Sequence, residues 1–127
     1  MRFVLAAVAL ALTSAPAQAQ VLAKDNFEKG PTPQQVLAVY PPAARADGVQ
    51  GFVDMTCVIQ DDDRIDTCDI LRESPQGAGF GDAAKRLIRL FVMPHGQFGT
   101  HIIVPFVFNG SGDPFPGEMA SSGVAKR

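Results

Sequence analysis

The clearest periodic signal in the chain begins at Gly51. In "GFVDMTCVIQ", Val53, Met55, Cys57 and Ile59 alternate with Asp54, Thr56 and Val58. A period of two over this length predicts a strand with one buried face. "DDDR" reads as a turn and "IDTCDILRE" as a second strand. After the loop "SPQGAG" the period changes. Phe80, Ala84, Leu87, Ile88 and Phe91 fall at helical spacing and form one stripe of an amphipathic helix, with Lys85, Arg86 and Arg89 mostly off it. Asp82 lies in the first turn, where a negative charge favours the helix dipole, and Pro94 is expected to end the helix. "HGQFG" is a loop. "THIIVPFVFN" is a third strand, apolar on both faces, with Ile102, Val104, Phe106 and Phe108 on one of them.

Upstream of the first strand, "YPPAARADGVQG" (residues 40–51) is punctuated. Pro41 and Pro42 suit a helix start, where a missing N–H costs nothing. Ala43 to Ala46 propagate the helix, and Gly48 suits the left-handed residue just past its end. About two turns of helix are not stable alone, so this segment must dock on something.

The element order is helix, strand, strand, helix, strand. In an all-antiparallel sheet the third strand must lie beside the first, giving spatial order 2-1-3. Pro105 fits an edge strand, where a missing donor is tolerated. The expected fold class is therefore α+β: two layers, a three-stranded antiparallel sheet, and a short N-terminal helix and one longer helix packed on one face. Residues 20–35, with "KGPTPQQ", read as a short flexible leader, 36–109 as the folded domain, and 110–127 as a disordered tail rich in Gly, Ser and Pro.

The first 19 residues change the picture of where the chain works. Arg2, the apolar run Phe3 to Leu12 and Ala17-Gln18-Ala19 follow the order of a secretory signal peptide, with the cut expected after Ala19. The rival reading is a membrane anchor, but the run is about ten residues against the ~20 needed to span a bilayer. Cleavage would take the formal charge from −2 to −3. That mild acidity, and export, argue against a nucleic-acid partner. No later segment is apolar enough to span a membrane. The mature protein is expected in the periplasm.

Candidate chemistry is sparse. Cys57 and Cys68 are an even pair in an exported chain, which favours a disulfide. The C-x10-C spacing fits neither a redox C-x-x-C nor a zinc pattern. A two-residue loop at Asp62-Asp63 puts the cysteines directly opposite each other. A bulge would move them to a diagonal, and the phase of Ile65 against Cys68 and Ile70 hints at one. His95 and His101 flank a glycine-containing loop with no third ligand in view, and read as solvated. Asp61, Asp62, Asp63, Asp66 and Asp69 lack the glycine and terminal Glu of a calcium loop. They read as a wet turn and an outer strand face. Ser74 and Ser111 sit in no catalytic motif, Lys85, Arg86 and Arg89 read as the wet side of a helix, and no motif calls for a cofactor. The expectation is a protein that is not an enzyme.

In Tyr40-Pro41-Pro42, Ala44, Gly48, Gly51 and Val53, then "RES" at 72–74, "GFGDAA" at 79–84, Met93-Pro94 and "VPFVF" at 104–108, the chain resembles the C-terminal domain of TonB. The resemblance spans about residues 38–109 and implies the α+β fold. The cysteine pair resembles a variant seen in some members. The family's usual Trp near the helix end is replaced, with Phe91 nearby. The resemblance also implies a binding mode, in which a short extended peptide of an outer-membrane transporter pairs with the last strand by β-augmentation. Here that edge is Thr100 to Asn109, with Thr100, Ile102, Ile103, Val104, Pro105, Phe106 and Phe108 as its binding residues. Neither the family's retained membrane anchor nor its long Pro-rich spacer is read in this chain. The expectation is therefore a binder of a transporter or envelope-protein segment that does not itself drive transport. The alternative is a structural envelope protein stabilised by its disulfide, with no transporter partner.

Overall fold

The alternation after Gly51 becomes the centre of a sheet in the computed structural model, which describes Ala9 and residues 20–115. In chain order the elements are β1 (Gln20–Val21), α1 (Pro33–Val39), α2 (Pro42–Ala46), β2 (Gly51–Ile59), β3 (Ile65–Ser74), α3 (Phe80–Ile88) and β4 (His101–Phe108). Apart from Ala9, the expected signal segment lies outside the described residues, as does the chain beyond Phe115. No helix among the described residues is long and apolar enough to cross a membrane.

The fold is mixed α+β, but among the described residues the sheet has four strands rather than three, and its order is β1-β4-β2-β3 rather than the expected one. β2 is central and antiparallel to both β3 and β4. The fourth strand is β1, which adds to the outer edge of β4 in parallel, Val21 beside Ile103. The sheet is therefore not all antiparallel. Residues 20–22 are held because Leu22 is apolar and enters the core, 2 % exposed, while its N–H donates to the Ile103 carbonyl at 2.7 Å. The expected leader is thus packed at its start.

The rest of the expected leader is ordered as well. Pro33 opens α1, and Thr32 and Gln35 close a capping box. The Gln35 N–H donates to the Thr32 hydroxyl at 3.2 Å, and the Gln35 side-chain oxygen accepts from the Thr32 N–H at 2.9 Å. Between β1 and α1, Lys29 bridges to Val92 by backbone bonds in both directions. The short helix α2 ends in a complete Schellman motif: Val49 N–H donates to Ala44 C=O and Gly48 N–H to Arg45 C=O, with Gly48 at φ +67.

The core lies between the helices and the inner face of the sheet. Val53, Met55, Cys57 and Ile59 of β2 and Ile102, Val104, Phe106 and Phe108 of β4 are all buried there, against Val36, Tyr40, Ala44, Phe80, Ala84, Leu87 and Ile88. α3 packs on α1 and on β2 and β3. Its first turn has no side-chain cap of its own, since Gly79 stands at the N-cap in the left-handed region. Glu73 of β3 takes that part: its Oε2 accepts from the Gly81 N–H at 2.9 Å. α3 ends at Ile88, earlier than the expected stop at Pro94. Arg89 and Leu90 continue as a turn, closed by the Phe91 N–H donating to the Ile88 carbonyl, and Val92 bridges Lys29 and Arg64. Met93, before Pro94, is disfavoured in a helix in any case.

The hairpin β2–β3 places Cys57 opposite Cys68, and the two form a disulfide. The turn is three residues, Asp61 to Asp63, rather than two. Gln60 N–H donates to Arg64 C=O at 2.8 Å, and Asp63 sits at φ 64, the geometry of a three-residue hairpin loop. The extra residue is compensated by a register shift between Val58 and Ile59, which brings the cysteines back into opposition. A second shift falls between Asp54 and Met55. The tail expected from residue 110 is also corrected at its start, since Pro114 and Phe115 are buried. The Val107 N–H donates to Pro114 C=O at 2.8 Å, and Phe115 stacks on Phe27.

Candidate functional site

The sequence points to the outer edge of β4, and the geometry of that edge follows from the strand's alternation. Neighbouring residues of a paired strand send their backbone groups to opposite sides. The Ile103 carbonyl accepts from Leu22, and the Val107 N–H donates to Pro114. Both therefore face away from β2, and so by alternation do His101 and Pro105. Of the residues expected to form the edge, only Ile103 and Pro105 present backbone outward. Ile102, Val104, Phe106 and Phe108 are buried side chains of the core. Thr100 precedes the strand, its carbonyl accepting from the Ile59 N–H at 3.0 Å. His101 and Val107 lie within the expected edge, Thr100 to Asn109, but were not among its named binding residues, although the same period of two identifies them.

The edge is already occupied by the chain itself. Residues 20–22 cover Ile103, Pro105 has no N–H to offer, and Pro114 takes the Val107 donor. The other edge of the sheet, β3, carries no partner strand among the described residues and is guarded differently. It has two register shifts, and Asp66, Asp69, Arg72 and Leu71 are exposed along it. Bulges and charges of this kind discourage strand addition. β4 has neither an irregular register with β2 nor a charged side chain between Ile102 and Phe108.

Among the described residues nothing covers the sheet face turned away from the helices. Val21 is 54 % exposed and Phe52 37 %, and the Arg72 guanidinium lies 5.3 Å above the Phe52 ring while pairing with Asp54 at 2.6 Å.

The remaining candidates do not converge. His95 lies 3.2 Å from Asp63, with a side chain that is 90 % exposed, and His101 is exposed on β4. Asp62 accepts from the Arg64 N–H and shapes the turn. Ser111 also serves a turn, accepting from the Asp113 N–H, while Ser74 ends β3 and is exposed, as are Lys85, Arg86 and Arg89. Among the described residues no group of three or more His, Cys, Asp or Glu side chains could hold a metal ion, and, the Tyr40 hydroxyl aside, no polar or charged side chain is buried.

Comparison with known proteins bears on the family of the domain. No curated protein matches the chain. The family model described as Gram-negative bacterial TonB protein C-terminal matches residues 37–109, more than half of the sequence. The chain thus belongs to the TonB C-terminal family.

Proposed function

We propose that this domain is a periplasmic protein-interaction module, a binder and not an enzyme. It takes up an extended segment of an outer-membrane transporter or another envelope protein as an added strand on β4. The supporting observation is that β4 already holds a strand there: Gln20 and Val21 pair along it and Leu22 enters the core beside it, so its register and apolar lining accept one. Membership of a family of envelope interaction domains supports the same reading. In such binding, main-chain hydrogen bonds supply affinity and side-chain pockets supply selectivity. The apolar run at residues 3–12 supports export by a cleaved signal, to be checked by N-terminal sequencing of the protein from cells.

The test is titration of the isotope-labelled protein with synthetic N-terminal peptides of outer-membrane transporters. Amide shifts are expected at residues 101–104, 106 and 107. Absent shifts, or shifts confined to β3 or the helices, would overturn the assignment. The second reading is a structural envelope protein without a transporter partner. The disulfide and the self-covered edge favour it. Pull-down from envelope extracts separates the two, since transporters would then be missing from the bound fraction.

A further inference from the structure

The segment that shows β4 can hold a strand also blocks it. We propose that residues Gln20 to Leu22 are a built-in competitor for the peptide-binding edge. A ligand strand pairs with β4 only after they leave, and its binding releases them. The inference rests on the peptide-binding reading above and specifies how that site is controlled.

The geometry makes the exclusion direct. The Ile103 carbonyl faces the outer edge and its acceptor is taken by the Leu22 N–H at 2.7 Å. The space beside it in the core is filled by the Leu22 side chain, 2 % exposed. A ligand running along β4 needs both the carbonyl and the space. The two occupants cannot be present together, and a ligand that replaces the segment must bring an apolar side chain to the Leu22 position.

The same segment is built to leave. Only two residues of β1 pair with β4, Gln20 and Val21, and both side chains are exposed. Leu22 is the single buried anchor among residues 20–26. Directly after it comes a tight turn, in which Ala23 C=O accepts from the Asn26 N–H at 3.0 Å and the Ala23 N–H donates to Asn26 Oδ1 at 3.1 Å. Beyond the turn the chain is fastened: Glu28 and Lys29 N–H donate to the Val92 carbonyl, and Phe27 packs edge-on against Phe91 at 4.8 Å. Release can therefore stop at residues 23–26. Three residues swing out, and the aromatic anchor and α1 keep their places.

A site that is open for only a fraction of the time binds its ligand with its intrinsic affinity reduced by that fraction. Weakening the competitor must then tighten the ligand, and the ligand must loosen the competitor. The probe is the synthetic peptide Gln-Val-Leu-Ala-Lys-Asp-Asn, which copies residues 20–26, added to the purified full chain. Leu22→Ala is expected to bind it at least about tenfold more tightly than the unaltered chain, with amide shifts at residues 101–104, 106 and 107. The same peptide with aspartate at its leucine position is expected not to bind. Equal affinities for the two chains, or a folded Leu22→Ala chain that ignores the peptide, would overturn the proposal.

Should Leu22→Ala not fold, the unaltered chain decides the matter by hydrogen exchange. The Leu22 amide is expected to lose protection when a transporter peptide saturates β4. If the peptide binds β4 and Leu22 stays protected, the competitor is refuted and the peptide-binding reading survives. If transporter peptides bind neither chain while the copied segment binds Leu22→Ala, the competitor stands and the proposed partner class falls.

Discussion

Gly48 and Gly51 stand three residues apart and are glycine for different reasons. Gly48 ends α2 at φ +67, and an added Cβ would meet nothing within 4 Å. Its requirement is the backbone conformation alone, so Gly48→Ala is expected to cost about 1 kcal/mol. Gly51 opens β2 directly beneath the Phe80 ring, and a Cβ there would lie 2.5 to 2.7 Å from three ring carbons. Phe80 is wedged between Tyr40 and Phe108, with ring centres at 5.5 and 5.3 Å, and cannot withdraw. Gly51→Ala is expected to cost about 1–3 kcal/mol through overpacking. A urea-unfolding double-mutant cycle tells them apart. Phe80→Leu should recover part of the Gly51→Ala loss and none of the Gly48→Ala loss. Equal coupling to both sites would mean that the close approach of Gly51 and Phe80 is not what the glycine serves. Tyr40 completes this corner, its hydroxyl donating to the Val49 carbonyl and lying 3.3 Å from that of Phe108.

The β2–β3 hairpin carries the element-scale prediction. Its disulfide closes a short loop, separation 11, across the central and outer strands. The chain-entropy model assigns such a closure about 3 kcal/mol. Replacing both Cys57 and Cys68 by alanine is expected to lower the melting temperature by about 10–20 °C for a domain of this size. Calorimetry of the double variant and of the reduced parent should agree. A fall of only a few degrees would show that the strand pairing itself sets the unfolded-state constraint. This hairpin was legible in the sequence because β2 alternates over nine residues and both cysteines lie on strands. The bulge hinted at by the phase of Ile65 is present near Ile59, but the loop has three residues rather than two, so the bulge keeps the cysteines opposed instead of moving them to a diagonal. α1 was missed although Thr32-Pro33-Gln34-Gln35 spells a capping box, because its polar surroundings resemble a linker and only Val36 is buried. β1 left no readable signal, since two residues have no period. The cap on α3 was equally hidden, because Glu73 comes from another element and only the folded chain brings it to Gly81. The candidate edge was located by the motif around Pro105. Its occupants could not be, because they come from segments whose composition reads as loose.

At the scale of the whole molecule, the folded unit extends beyond the part that the family model matches. That match ends at residue 109, yet the core continues to Phe115. Phe115 lies 5.7 Å from Phe27, 5.9 Å from Phe91 and 5.9 Å from Phe106, ring centre to ring centre. The four rings come from four separate segments: the stretch after β1, the turn after α3, β4, and the return after β4. Ending the chain at Asn109 removes one ring and the carbonyl that pairs with Val107. The expected result is a loss of about 3 kcal/mol or more, the range for a buried Phe truncated to Ala, with a smaller urea m-value because less surface is buried on folding. Phe115→Ala in the full-length chain should reproduce most of the stability loss while leaving the m-value nearer the parent's. The damage should also spread to the far terminus. Phe27 holds the segment that carries Leu22, so loosening its ring contacts should speed amide exchange at Glu28 and Leu22 well before it reaches Cys57 in the disulfide-closed hairpin. Exchange that rises uniformly across the chain would mean the terminal segments are as firmly held as the sheet, and β1 would then be a permanent strand rather than one that can be displaced.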